Sequence, residues 1–310
     1  TASLRWQQRL SVDWRFTAHA MTQQLRTDDR TAFPYGVYDA NYECADWCDR
    51  FAPDGSFTYW EYISNNERRR SDALDLSVAG TLQTGPVQHS LQAGVLSTRY
   101  KARFEDQIFD IAGPGRIDGQ LVSPASAGFT DANTNRDERS TEAYLRNVMR
   151  LSGAWSLWAG LRHTRLDRAS VRTSEGSDGL RATRYQQSAT VPWLALAWTL
   201  SPQTTAYASW GEGLESDVVP NRDRYSNRGL ALPTLKSRQF EAGIKHASDR
   251  MDIALTWFDI DRPQAADLGD CDAPDSCERI IDGSARHRGL EANATLRDGP
   301  WTWQASAMLL

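Results

Sequence analysis

The chain has 310 residues, 40% of them hydrophobic and 24% charged, with a formal net charge of −5. That balance offers no basic face for nucleic acid. No apolar run approaches the ~18 residues of a membrane-spanning helix, and the longest, near Val191–Trp198, contains Pro192. A strand alternating lipid-facing and lumen-facing side chains is not excluded, because its average hydropathy is unremarkable.

The first segments in chain order are polar 2–10, then 14–27, where Trp14, Phe16, Ala18 and Ala20 alternate with Arg15, Thr17, His19 and Met21. In 58–83, Leu74, Leu76, Val78 and Leu82 alternate with Asp75, Ser77, Ala79 and Thr81; in 87–104 the apolar positions are Leu91, Ala93 and Val95. Segment 138–151 is less clean, since neither face of Tyr144–Leu151 is fully apolar. Segments 155–169, 185–200 and 204–211 follow. Then come 236–247 (Phe240, Ala242, Ile244 against Glu241, Gly243, Lys245), 251–261 (Ile253, Leu255, Trp257), 285–297 (Leu290, Ala292, Ala294, Leu296) and 301–310. Period two with one apolar face marks a half-buried strand, so the fold class is all-β, an antiparallel meander of about twelve strands.

The connections alternate strictly. Tight turns fall near Leu10–Asp13, Thr84–Pro86, Ser152–Ala154, Ser201–Gln203, Ser248–Arg250 and Arg297–Pro300; long polar loops run over 28–57, 105–137, 170–184, 212–235 and 262–284. A meander puts all short turns at one end and all long loops at the other, the pattern of an outer-membrane barrel. Trp14, Trp155 and Trp301 each follow a short turn directly, as an interfacial aromatic girdle would. A soluble β-sandwich would instead show short strands with similar turns at both ends.

The four cysteines form two local pairs inside long loops, Cys44 with Cys48 and Cys271 with Cys277. Of three connectivities, the local one is expected because short loops close most cheaply and export is oxidising. Neither loop holds a histidine, which argues against zinc. The basic run Glu67-Arg68-Arg69-Arg70 reads more simply as a solvated strand end or lumen wall than as a binding patch. No nucleophile elbow, zinc-protease motif or phosphate loop is present, so no enzyme, metal or cofactor is expected. The chain opens without a signal peptide and stops in mid-strand, so it reads as an internal fragment.

Four blocks carry a family resemblance. TEAYLRNVMRLSGAWSLWAGLRH at 141–163 resembles a hairpin of TonB-dependent siderophore receptors. PWLALAW at 192–198 leading into SPQTTAYASWGEG at 201–213, LPTLKSRQFEAGIK at 232–245, and RGLE at 288–291 are similar to further segments of that family in the same order. The resemblance implies a twenty-two-stranded barrel in the bacterial outer membrane, with 1–310 a partial barrel domain and the plug and C-terminal strands lying elsewhere. It also implies uptake of a ferric siderophore, with outer-membrane lipid and the TonB complex, reached through the plug, as partners. A passive porin-like channel, a cobalamin or haem receptor, and a soluble all-β binding protein are the alternatives.

Ligand contacts in such a receptor come from inward aromatic and basic residues at the long-loop end. Parity from Leu91, Ala93 and Val95 points Tyr100 and Phe104 inward. Parity from Leu74 points Tyr59 inward unless a bulge intervenes, beside the aromatic-rich Trp60 and Tyr62. Trp210, Arg222 and Tyr225 begin another long loop. Aromatics give rigid contact to a bulky chelate, and arginine favours an anionic one. For any single one of these residues, belt or loop packing is the simpler reading.

Overall fold

The computed structural model describes residues 1–39, 41–44, 46–124, 128, 131–174, 182–233 and 235–310. The alternating segments become one antiparallel sheet: β1 (Ala2–Arg9), β2 (Trp14–Pro34), β3 (Ser56–Thr84), β4 (Val87–Arg103), β5 (Ile108–Arg116), β6 (Thr134–Arg150), β7 (Trp155–Arg172), β8 (Ala182–Ser201), β9 (Thr204–Glu215), β10 (Leu235–Ala247), β11 (Met251–Gly269), β12 (Cys277–Asp298) and β13 (Trp301–Leu309). Twelve strands pair in chain order, with β5 off that path, and no helix occurs among the described residues. β1 and β13 each have one neighbour, so the sheet is open.

Two corrections to the sequence reading have one cause. Several strands run past their expected ends: β2 reaches Pro34, β9 Glu215 and β11 Gly269, while β12 begins at Cys277. And β5 forms inside the expected 105–137 loop, pairing Ile108–Arg116 with the part of β3 beyond Arg68, where the β4 pairing stops. Past the apolar band the strict alternation of apolar and polar side chains is lost, with apolar residues on both faces of β5 (Ile108, Phe109, Ile111), while the hydrogen-bonded ladder continues. In β5, Gly113, Pro114 and Gly115 read as a turn, but that strand has a free outer edge where a proline is tolerated.

Alternation places the two faces. One carries Phe16, Val78, Ala93, Leu145, Leu161 and Pro192, directly opposite one another across β2, β3, β4, β6, β7 and β8. Its side chains are open: Leu74 is 43% exposed, Val95 46% and Leu145 51%. A contiguous apolar face of this kind is a docking surface, and in a barrel it meets lipid. Trp14, Trp155 and Trp301 all lie on it at the short-turn end, Trp155 stacked on Trp198 at 5.2 Å. The opposite, inner face is polar. There Trp193 lies across Gly160, where a Cβ would clash with the indole nitrogen.

The buried residues gather at the long-loop end. Val219, Tyr225, Leu232 and Cys277 form a small cluster, and Phe57, Ile63 and Ile108 are buried where β3 meets β5. Both local disulfides form, Cys44–Cys48 and Cys271–Cys277, at this end.

Candidate ligand-binding mouth

At the long-loop end the inner face bears one side chain per strand in a single row. Ser71, Tyr100, Glu138, Arg168 and Tyr185 stand opposite one another across β3, β4, β6, β7 and β8. Three members of the row are linked: Arg168 Nε lies 3.0 Å from Glu138, and its guanidinium sits over the Tyr185 ring at 5.7 Å. Arg168 Nη1 also donates to Ser216 Oγ at 3.2 Å, tying the β9–β10 loop to the wall. Above the row opens a cavity of about 1160 Å³, bounded by Tyr62, Phe109, Arg136, Arg172 and the loop residues Val218–Arg224. A smaller cavity of about 240 Å³ adjoins it, lined by Tyr62, Glu67, Arg69, Tyr100, Phe104 and Arg136. Arg69 lies 5.1 Å over the Phe104 ring and 2.7 Å from buried Glu67.

Tyr62, Tyr100 and Phe104 therefore share one cavity, with Tyr62 and Arg222 lining its larger neighbour. Tyr59 does not join them. The β2–β3 register shifts between Thr27 and Asp29, opposite Asn66, which adopts φ 55°. That bulge reverses parity beyond it, so Tyr62 turns inward while Tyr59 packs edge-on to Phe57 on the other side. Trp60 shares the Tyr62 side, in an aromatic group with Tyr38 at 5.5 Å, Phe109 at 5.9 Å and Tyr42 at 6.0 Å. Tyr42 donates to Asp110; that hydrogen bond, then burial and the charges of Asp110 and Asp131, hold its phenol above the usual range. Trp210 stands outside the mouth, on the apolar outer face between Leu194 and Phe240; the strand β9 continues through it, where the sequence places a loop start. Tyr225 is 1% exposed and anchors the β9–β10 loop, its hydroxyl donating to Asp267 at 2.8 Å.

Sequence reasoning missed Glu138, Arg168, Arg172 and Tyr185. Alternation could have marked each as inward on its own strand, but their alignment needs the cross-strand register. The larger cavity is bordered by five arginines and five carboxylates, so its lining is balanced in formal charge.

A meander with an open apolar exterior and a polar mouth defines the wall of an outer-membrane-type barrel. The chain belongs to the family described as TonB dependent receptor-like, beta-barrel, whose model matches residues 1–309; its members are receptors and transporters rather than enzymes. The fold is similar to that of the ferric-catecholate import receptor Fiu from Escherichia coli K12, with TM-score 0.74 and 12% identity over 99% of this chain and 47% of that one. BauA, the ferric preacinetobactin receptor from Acinetobacter baumannii, gives TM-score 0.69 and 18% identity over 95% and 42%. FpvA from Pseudomonas aeruginosa, solved with a ferric pyoverdine, gives 0.67 and 16% over 98% and 39%. The chain thus spans less than half the length of these structures. No curated protein sequence matches it at a significant level.

Proposed function

We propose that the protein containing this chain is a bacterial outer-membrane receptor that takes up a ferric siderophore. Energy would come from the TonB complex, acting through a plug domain outside these residues. The observation that carries the reading is the cavity of about 1160 Å³ at the long-loop end. It exceeds the ~300–1,000 Å³ of ordinary small-molecule sites and suits a bulky chelate. Its floor row of Tyr100, Glu138, Arg168 and Tyr185 offers ring faces and fixed hydrogen-bond donors together. The similar solved structures are described as a ferric-catecholate import receptor, a ferric preacinetobactin receptor and a receptor bound to a ferric pyoverdine, which supports a ferric chelate of that class as the ligand here.

The test is a titration of the purified full-length receptor against a panel of ferric siderophores, paired with growth of a gene-deletion strain on the best binder as sole iron source. Saturable binding and lost growth are expected. Absence of binding to every ferric chelate, with small hydrophilic solutes crossing reconstituted vesicles in proportion to concentration, would replace the receptor with a passive channel.

A further inference from the structure

Near the short-turn end the inner face carries a second charged row, and this one is not balanced. Arg9, Arg15, Gln92, Arg146 and Trp193 stand in line across the sheet, with the small Ala79 and Gly160 between them. The row lies directly beneath the floor of the mouth on the same strands. Ser71 of that floor and Ala79 are on β3, Glu138 and Arg146 on β6, Tyr185 and Trp193 on β8. The separation is about 26 Å along the strands, or roughly 20 Å along the axis of a barrel whose strands tilt ~40°.

A cavity of about 780 Å³ opens over this row, bordered by Arg9, Arg15 and Arg146 but by a single carboxylate, Asp13. Asp13 accepts from the Thr81 hydroxyl at 3.5 Å. Arg9 Nε donates to the Ser11 carbonyl at 3.0 Å. Arg15 and Arg146 are exposed and make no ion pair or side-chain hydrogen bond among the described residues. The acids between this row and the mouth are already engaged: Asp75 accepts from the Tyr144 hydroxyl at 2.9 Å, and Glu142 pairs Arg162 at 3.4 Å. Arg9 and Arg15 stand directly opposite one another, an arrangement of like charges that weakens a strand pair. An anion placed over them reverses that cost.

Size selects the anion. Arg15 and Arg146 are three strand spacings apart, about 14 Å, and side chains that stand perpendicular to the sheet keep their heads about that far apart. A bulky polyanion spans the gap, whereas a lone phosphate does not. Trp158 borders the same cavity and is 45% exposed, so guanidinium and ring face meet here as Arg168 and Tyr185 do in the mouth. On the mouth side, Gln92, Arg146 and Trp193 border an adjoining cavity of about 630 Å³ that leads to it. We propose that Arg9, Arg15 and Arg146 form a second station on the inner wall, which takes a chelate bearing several acidic oxygens, catecholate or carboxylate, after it leaves the mouth. Guanidinium forks match such oxygens in bidentate fashion. The proposal rests on the receptor reading above and adds the charge of the cargo to it.

The experiment uses the full-length receptor in cells and three probes: a ferric tris-catecholate and a ferric polycarboxylate, both anionic, and an uncharged ferric tris-hydroxamate. Surface binding is measured in de-energised cells and uptake in energised ones. Arg15→Gln/Arg146→Gln should leave surface affinity for the anionic probes unchanged and slow their uptake about ten-fold or more, since one charge-assisted hydrogen bond is worth about that factor. Arg15→Lys/Arg146→Lys should restore most of the rate. Uptake at the wild-type rate in the glutamine variant, equal slowing in the lysine variant, or equal slowing of the uncharged probe would each overturn the proposal. So would a glutamine variant that, reconstituted without cargo, leaks small hydrophilic solutes, because the row would then hold the plug. Wild-type uptake of the uncharged probe alone would overturn the station and leave the receptor reading in place; uptake of none of the three would overturn both.

Discussion

Tyr100 and Phe104 owe their place to a period of two that runs without register shift along β4 from Leu91. Tyr100 falls in the floor row, and Phe104, just past the strand end, is held by Asn135, whose side-chain oxygen accepts from its backbone N–H at 2.7 Å. Both offer ring faces to the same cavity. Replacing the two with alanine in the full-length receptor should weaken ferric-chelate binding by about 1–3 kcal/mol, as for hot-spot aromatics, with barrel assembly unchanged. Isothermal titration measures the first and detergent-resistant folded yield the second; unaltered affinity would remove both residues from the site. Tyr59→Ala should leave affinity alone, because the Asn66 bulge turns Tyr59 away from the cavity.

The β9–β10 loop is an element held from several sides. Tyr225 bridges to Cys277 in parallel fashion, Ser226 N–H donates to the Cys277 carbonyl at 2.8 Å, and Asn227 donates to the Arg279 carbonyl at 2.7 Å. Arg279 in turn pairs Asp267 at 2.9 Å and Asp217 at 3.2 Å. The Cys271–Cys277 disulfide fixes the hairpin on which all of this rests. Cys271→Ser/Cys277→Ser should therefore cost the loop about 2 kcal/mol by the chain-entropy relation for a short ring. The expected readout is faster amide exchange over 217–232, with the strand cores unaffected; unchanged exchange there would show that the hydrogen bonds suffice. Tyr225→Phe removes one hydroxyl from Asp267 and should loosen the same segment by about 1 kcal/mol, seen as earlier protease cleavage of the loop.

At the scale of the whole molecule, the exposed apolar face matches the lipid-facing side of an outer-membrane-type barrel. Leu76 is 40% exposed among Ala18 and Val95 on that face. Leu76→Arg should cost about 2–4 kcal/mol if the position lies near the bilayer midplane, read as a lowered folded fraction in vesicles. Ala79→Arg, on the inner face of the same strand, should fold normally. Equal loss in both would mean that the two faces are not divided as lipid and lumen. β1 and β13 are open edges, each leaving one side of its backbone ladder without a neighbouring strand in this sheet.

Alternation in the sequence already determined the strands through the lipid band, their two faces, the ends at which turns and loops collect, and the local cysteine pairs. Each of these depends on residues close together in the chain, where a side-chain period or a short loop closure is enough. Only the tertiary structure decided β5, the inward turn of Tyr62 over Tyr59, the outward place of Trp210 and the burial of Tyr225. Only register assembled Tyr100, Glu138, Arg168 and Tyr185 into one row, and Arg9, Arg15 and Arg146 into another. A single bulge such as that at Asn66 reverses every face beyond it, and which residues stand opposite is fixed by the pairing of distant strands, so no local pattern can carry that information.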